Sequence, residues 1–368
     1  MNPFMYGSTV DGEFFCPRPD LERELASRLE TGQNVIVQGE RRTGKTSLVL
    51  ETVRGMKGMA LFHADLLCVS DTADLCARLV SALSRLEQTE GWLAKLIGAL
   101  GHLRPTVTID PQSGSPTLSV DARIASAPST LDAVMDAIVA QTAHRRVCVV
   151  LDEFQDILDI EGCERALAVM RARIQLDIRT PYVFLGSVRN RMSDLFFRHS
   201  GPFYHSAASL PVGGIDADDF HRFLKARFAT GSRDFPRDVF DAVSVAANGI
   251  PGHIQELCDS IWQESSPGET ITSGLLGAAL SRILSREQEH YAFALRTLTP
   301  LQTRVLKAIA GHGGAALYSA GFLEAARAVH TNSVKRAVEK LEKEELVCHV
   351  EGECRIANPF FAEWVRRL

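Results

Sequence analysis

The period of the apolar positions changes several times along the chain. Residues 34–38 are a β-branched run ending at Gly39, and residues 47–56 then place apolar side chains at helical spacing. A strand, a glycine-rich turn and a helix are expected there. Residues 59–66 predict a second strand and residues 72–86 an amphipathic helix. Val107 and Ile109, then Leu118 and Val120, alternate with polar residues on either side of a turn-rich stretch. That pattern predicts a β-hairpin inserted at about residues 104–122. Residues 130–142 return to helical spacing, whereas residues 147–151 are continuously apolar, as in strands buried on both faces. Residues 181–186 and 209–212 complete the strand candidates. Strands alternating with helices predict an α/β class with a parallel sheet covered on both faces.

From residue 216 onward this alternation stops. Residues 216–229, 238–247, 251–264 and 272–291 all carry helical apolar spacing, which predicts a helical lid. Thr299-Pro300 then opens a helix in the favoured cap-then-proline order. Helices at 301–310, 318–329 and 332–344 precede two short strand runs, 346–350 and 353–356, around Glu351-Gly352. Three helices and a hairpin make a winged helix-turn-helix. The expected division is therefore a core at 1–213, a lid at 214–294 and a winged helix at 295–368.

Composition adds exclusions. Apolar residues at 45 % and charged residues at 23 % are ordinary globular usage. No apolar run reaches the roughly 18 residues that a membrane span needs, so no membrane partner is expected. Residues 1–4 lack the basic stretch and apolar core of a secretory signal, and a cytoplasmic location is expected. The eight cysteines show no CxxC or Cys/His ligand spacing, so they are read as free thiols rather than zinc ligands. Cys348 and Cys354 could face each other across the last hairpin, but cytoplasmic disulfides are rarely kept oxidised. The net charge of −5 divides unevenly, with +3 in residues 295–368 and −8 in the rest, so only the tail suits a polyanion.

The chemistry concentrates at two points. Gly39, Glu40, Arg41, Arg42, Thr43, Gly44, Lys45 and Thr46 form a complete GxxxxGK[ST] loop between a strand and a helix, with Ser47 following. Such a loop turns backbone N–H groups toward phosphate oxygens at the positive end of a helix. Lys45 would neutralise the β- and γ-phosphates, and the Thr46 hydroxyl would ligate Mg2+, which prefers hard oxygen donors. About a hundred residues later an apolar strand delivers Asp152 and Glu153. Asp152 is the second candidate metal ligand, and Glu153 the candidate base for an attacking water. ATP with Mg2+ is the cofactor set, and ATP hydrolysis the expected activity. The next apolar strand ends near Ser187 and Asn190, candidate sensors of the γ-phosphate. Arg189, Arg191 and Arg198 are candidates for stabilising charge, in cis or toward a neighbouring subunit, with solvated helix-face charge as the alternative.

These pieces resemble an archaeal-type ATPase of the AAA+/STAND group of P-loop proteins over nearly the whole length. The matching segments are Asn2-Pro3-Phe4, Gly12, residues 15–18, the loop itself, residues 151–155, residues 185–187, Gly249-Ile250-Pro251, and Asn358-Pro359-Phe360-Phe361 with Trp364. The resemblance implies a P-loop NTPase sheet of AAA+ type with helical lid and C-terminal winged helix, and a nucleotide-driven switch. It also implies that Arg18 and Pro251 frame the adenine, although domain packing is an equal reading for Arg18. Lids of related ATPases often carry an arginine just beyond the Gly-x-Pro turn, whereas Gly252 and His253 stand here. Arginine-driven sensing by the lid is therefore not implied.

In the winged helix, Val334, Val338 and Leu341 should face inward, and Asn332, Lys335, Arg336 and Lys340 outward. Those cations suit DNA phosphates, yet the acidic turn Glu351-Gly352-Glu353 does not. DNA, a protein effector and a second copy of the chain all stand as candidate partners beside ATP and ADP.

Overall fold

In a computed structural model the protein is described over residues 2–86, 106–109, 116–119, 128–143, 145–186, 189–350 and 352–368. The chain divides into two compact units, Thr9–Gly213 and the segment ending at Ser8 together with Gly214–Leu368.

The first unit is built on β1 (Val35–Gln38), β2 (Ala60–Asp65), β5 (Val147–Asp152), β6 (Tyr182–Gly186) and β7 (Ala208–Pro211). They form one sheet in the order β2-β5-β6-β1-β7. Every pairing is parallel. A period of two along the buried strands divides their side chains between two cores. Val35, Val37, Cys148, Val150, Val183 and Leu185 pack on one face beneath α1 (Pro19–Glu30) and α2 (Lys45–Gly55). Ile36, Val147, Val149, Leu151, Tyr182 and Phe184 pack on the other, under α3 (Thr72–Leu86), α4 (Pro128–Thr142), α5 (Cys163–Leu176) and α6 (Arg189–Phe196). Sequence reading leaves α1 and α5 unassigned, although Leu21, Leu25 and Leu29 follow the cap-proximal Pro19 at helical spacing. The inserted hairpin pairs β3 (Thr106–Ile109) with β4 (Pro116–Ser119) antiparallel, Val107 opposite Leu118.

The second unit is helical up to residue 296. It contains α7 (Ala217–Ala229), α8 (Arg237–Ala246), α9 (Pro251–Glu264) and α10 (Ser273–Arg296). Its N-terminal segment docks here, with Phe4 against the Phe228 and Trp262 rings and Asn2 Nδ2 donating to Asp259 Oδ1 at 2.6 Å. There follow α11 (Pro300–His312), α12 (Ala320–Ala325), α13 (Thr331–Lys343), the antiparallel hairpin β8 (Val347–Val350) and β9 (Glu353–Ile356), and α14 (Pro359–Arg366). Thr299 and Gln302 close a reciprocal capping box around Pro300. In the hairpin, His349 lies opposite Cys354 and Cys348 opposite Arg355. Neighbours along a strand point to opposite faces, so Cys348 and Cys354 do not meet, and all eight cysteines are free thiols. No helix among the described residues is long and apolar enough to cross a membrane.

Candidate functional site

The site begins where β1 leaves the sheet. A Cβ at Gly39 would lie 2.1 Å from the carbonyl oxygen of Val212, the residue just beyond β7, so only glycine fits. Arg42 (φ 64°) and Gly44 (φ 83°) both adopt left-handed backbone, which curls the loop before α2 starts at Lys45. Thr43 Oγ1 donates to Glu40 O at 2.8 Å and closes the curl. Lys45 is only 7 % exposed, and its Nζ donates to Gly39 O at 3.1 Å and Glu40 O at 2.9 Å. Burial pushes the Lys45 pKa below the ordinary lysine value, while Glu153 and Asp152 pull it back up. An ammonium is thus held in the mouth of the loop in the field of two acids.

The acids arrive on β5. Asp152 Oδ2 accepts from Thr46 Oγ1 at 2.8 Å, and Oδ1 accepts from the Glu153 backbone N–H at 3.0 Å. On the neighbouring strand, His63 Nε2 lies 3.7 Å from Asp152 Oδ2. Glu153 sits in left-handed backbone (φ 48°, ψ 45°), an unfavourable region for a residue with a side chain. The following residue holds it there, since Phe154 is fully buried among Phe184, Phe196 and Phe203. Gln155 Nε2 then donates to Glu153 Oε2 at 2.7 Å and to Asp156 Oδ1 at 3.0 Å. A hydroxyl and a carboxylate oxygen at hydrogen-bond separation, beside an amine-lined glycine loop, form a donor set that fits Mg2+ and phosphate oxygens.

The remaining predicted residues separate into groups. The arginines at 41 and 42 are exposed on the loop, and Glu40 is half-buried. Ser47 turns away from the loop mouth, and its Oγ accepts from Val10 N at 3.0 Å, tying α2 to the N-terminal strap. Arg18 is buried under the loop, where its guanidinium donates to Thr43 O, and to Gly213 O at 3.2 Å. Desolvation lowers its pKa to about 10, which leaves it charged at neutral pH. Arg191 is drawn to Asp159 at 2.7 Å and Asp156 at 3.8 Å. Arg198 is 69 % exposed, 4.0 Å from Asp194. Ser187 lies outside the described residues, as do the side chains of Arg189 and Asn190; Arg189 opens α6. Pro251 is buried in the second unit as the first residue of α9, where its fixed φ suits a helix start. His253 is buried there too, 3.6 Å from Glu256 and edge-on to the Phe360 ring, as a packing residue would be. Sequence reasoning assigns no role to Gln155 or His63; the spacing of a lone amide or imidazole carries no signal of its partner across the fold.

Comparison with solved structures covers both units. A Walker-type ATPase of Pyrococcus abyssi matches over 100 % of both chains at 18 % identity with a TM-score of 0.67. The two chains share one fold. The ADP form of the Aeropyrum pernix ORC2 protein shares this fold at 15 % identity and TM-score 0.54, covering 98 % of this chain and 95 % of that one. The Aeropyrum pernix ORC1 protein, solved in complex with DNA, matches at 14 % identity and TM-score 0.50 over 97 % and 94 %. Residues 289–367 match the family model described as "Probable winged helix domain". No curated protein matches by sequence.

Proposed function

We propose that the protein binds ATP with Mg2+ at this corner, hydrolyses it to ADP and phosphate, and couples nucleotide state to its C-terminal winged helix. The observation that carries the reading is the 2.8 Å contact between Thr46 Oγ1 and Asp152 Oδ2, which joins two segments 106 residues apart. Random placement of a phosphate loop and an acidic strand end would not bring these oxygens together. In this reading the loop amides hold the β- and γ-phosphates, and the Lys45 ammonium turns from the carbonyls of Gly39 and Glu40 to phosphate oxygens. Thr46 and Asp152 would hold a magnesium ion, which supplies charge neutralisation on the phosphate oxygens. Glu153 takes a proton from the attacking water as its oxygen bonds to the γ-phosphorus and the bond to the ADP oxygen breaks. Ser187 is the proposed γ-phosphate sensor, Arg189 the stabilising charge, and Arg18 and Pro251 the base-proximal residues. Arg18 contributes at least by bracing the loop at Thr43.

The test is phosphate release from MgATP by the intact protein. Turnover that disappears on chelating magnesium and in Lys45→Ala is expected; wild-type protein without turnover would sink the reading.

A second reading, a nucleotide-regulated DNA-binding protein, has a specific observation in its favour. Asn332, Lys335 and Arg336 are exposed on α13 while Val334, Val338 and Leu341 are buried. The opposing observation is also on α13. Lys340 pairs with Glu344 at 2.7 Å, so part of the positive face is neutralised. A protein effector fits that mixed surface at least as well, and a second copy meeting the exposed Arg198 of the first unit is a separate outcome. Mobility shifts across a salt series and nucleotide-dependent mass measurements separate these outcomes.

A further inference from the structure

Gln155 is 2 % exposed, yet no phosphate or metal role requires a glutamine there. Its Nε2 is shared between two carboxylates, Glu153 Oε2 at 2.7 Å and Asp156 Oδ1 at 3.0 Å. Both partners only accept, so the NH2 end of the amide must face them, and the orientation of the side chain is fixed by chemistry. Oε1 is thereby forced to the opposite side, where it is buried without a hydrogen-bond partner among the described residues. That side is the C-terminal end of β6: a Cβ at Gly186 would lie 2.6 Å from Oε1. One amide therefore touches the candidate base with one end and the end of the central strand β6, which lies between β1 and β5, with the other. The Glu153 backbone is already in left-handed geometry, so its carboxylate is aimed by this hydrogen bond together with the Phe154 anchor.

We propose that Gln155 is a positioning residue for ATP hydrolysis: it holds the Glu153 carboxylate in register for the attacking water and links that register to the end of β6. The inference rests on the ATPase reading above. The amide is not a catalytic residue, because it acts through Glu153.

The experiment compares wild type, Glu153→Gln, Gln155→Met and the double variant, all as the full chain. Gln155→Met keeps length and apolar volume while removing both amide functions. Expected are a kcat at least tenfold below wild type, an ATP Kd within about twofold of wild type, and no further loss in the double variant relative to Glu153→Gln alone. Gln155→Asn, whose shorter side chain cannot span both partners, should resemble Gln155→Met. A purely structural role predicts a different pattern, with Kd and melting temperature moving together and losses that multiply in the double variant. That pattern, or wild-type kcat in Gln155→Met, overturns the proposal. Failure of the ATPase reading is seen separately, as wild-type turnover that is absent or insensitive to Lys45→Ala, and it removes this proposal as well.

Discussion

The phosphate-loop corner and the outer face of α13 both carry charged residues, but under opposite physical conditions. At the corner, Lys45, Asp152 and Arg18 are all buried, and each is hydrogen-bonded to a defined partner. On α13, Lys335 and Arg336 stand in solvent, and Lys340 pairs with a glutamate that is itself about half exposed. Buried charges are expensive unless geometry satisfies them, so a corner of this kind commits to one arrangement and one chemistry. Exposed charges carry little energy and leave the choice of partner open. This is why residues of the core can be given roles in the proposed reaction, whereas the winged helix offers only a class of surface.

The contrast breaks most visibly at the acids and the loop lysine. Lys45→Ala and Glu153→Gln should each lower kcat by about 100-fold or more, with the protein still folded, as steady-state phosphate release and thermal melting would show. If either variant kept wild-type turnover, the corner would be no more committed than α13. Gly39→Ala is next. Its new methyl group would sit 2.1 Å from Val212 O, which is backbone and cannot swing aside. Either the loop or the end of β7 must move, at a cost of about 1–3 kcal/mol by overpacking, together with loss of nucleotide binding by titration calorimetry. Arg18→Met should follow, since it strands the carbonyls of Thr43 and Gly213. A destabilisation of about 1–3 kcal/mol in denaturant unfolding, with weaker ATP binding, is expected from the one orphaned buried acceptor, Thr43 O, since Gly213 is exposed to water.

How far sequence reading reaches differs between the same two regions. The loop and the β5 end are legible, because a motif at fixed spacing and a continuous apolar run both report backbone placement directly. The winged helix is legible for a similar reason: cap, period and hairpin turn are local signals, and the family match at residues 289–367 agrees. What escapes are contacts decided by tertiary packing. Arg18 reaches Thr43 and Gly213, 25 and 195 residues away, and no local pattern reports such a reach. Ser47 follows the GKT run, yet its position on α2 turns its hydroxyl to Val10. Gln155 owes its place to Phe154 being swallowed by the aromatic cluster, which rotates the next side chain back toward Glu153. The helices α1 and α5 are a different kind of omission, since their periods are readable; Ala166, Leu167, Met170 and Ile174 mark one buried face.

The smaller effects sharpen the comparison from the other side. Replacing Lys335 and Arg336 together by alanine should leave stability within about 0.5 kcal/mol and kcat unchanged, because neither side chain is buried. If DNA is the partner, the same double substitution should lower the slope of log affinity against log salt by about 2, one for each phosphate left without its cation. A protein partner predicts no such slope. Thiol labelling gives the finest reading. Cys68 is exposed, whereas Cys76 and Cys354 are buried and their pKa values are pushed up to about 12 by desolvation. A raised thiol pKa means less thiolate at any pH below it, and the thiolate is the reactive species. At pH 8 an alkylating reagent followed by mass spectrometry should therefore modify Cys68 within minutes. Cys76 in the core and Cys354 in the wing should react only as their own units open. Protection of Cys76, but not of Cys354, by added MgATP would show that nucleotide stabilises the committed corner alone; protection of both would show the coupling on which the switch depends.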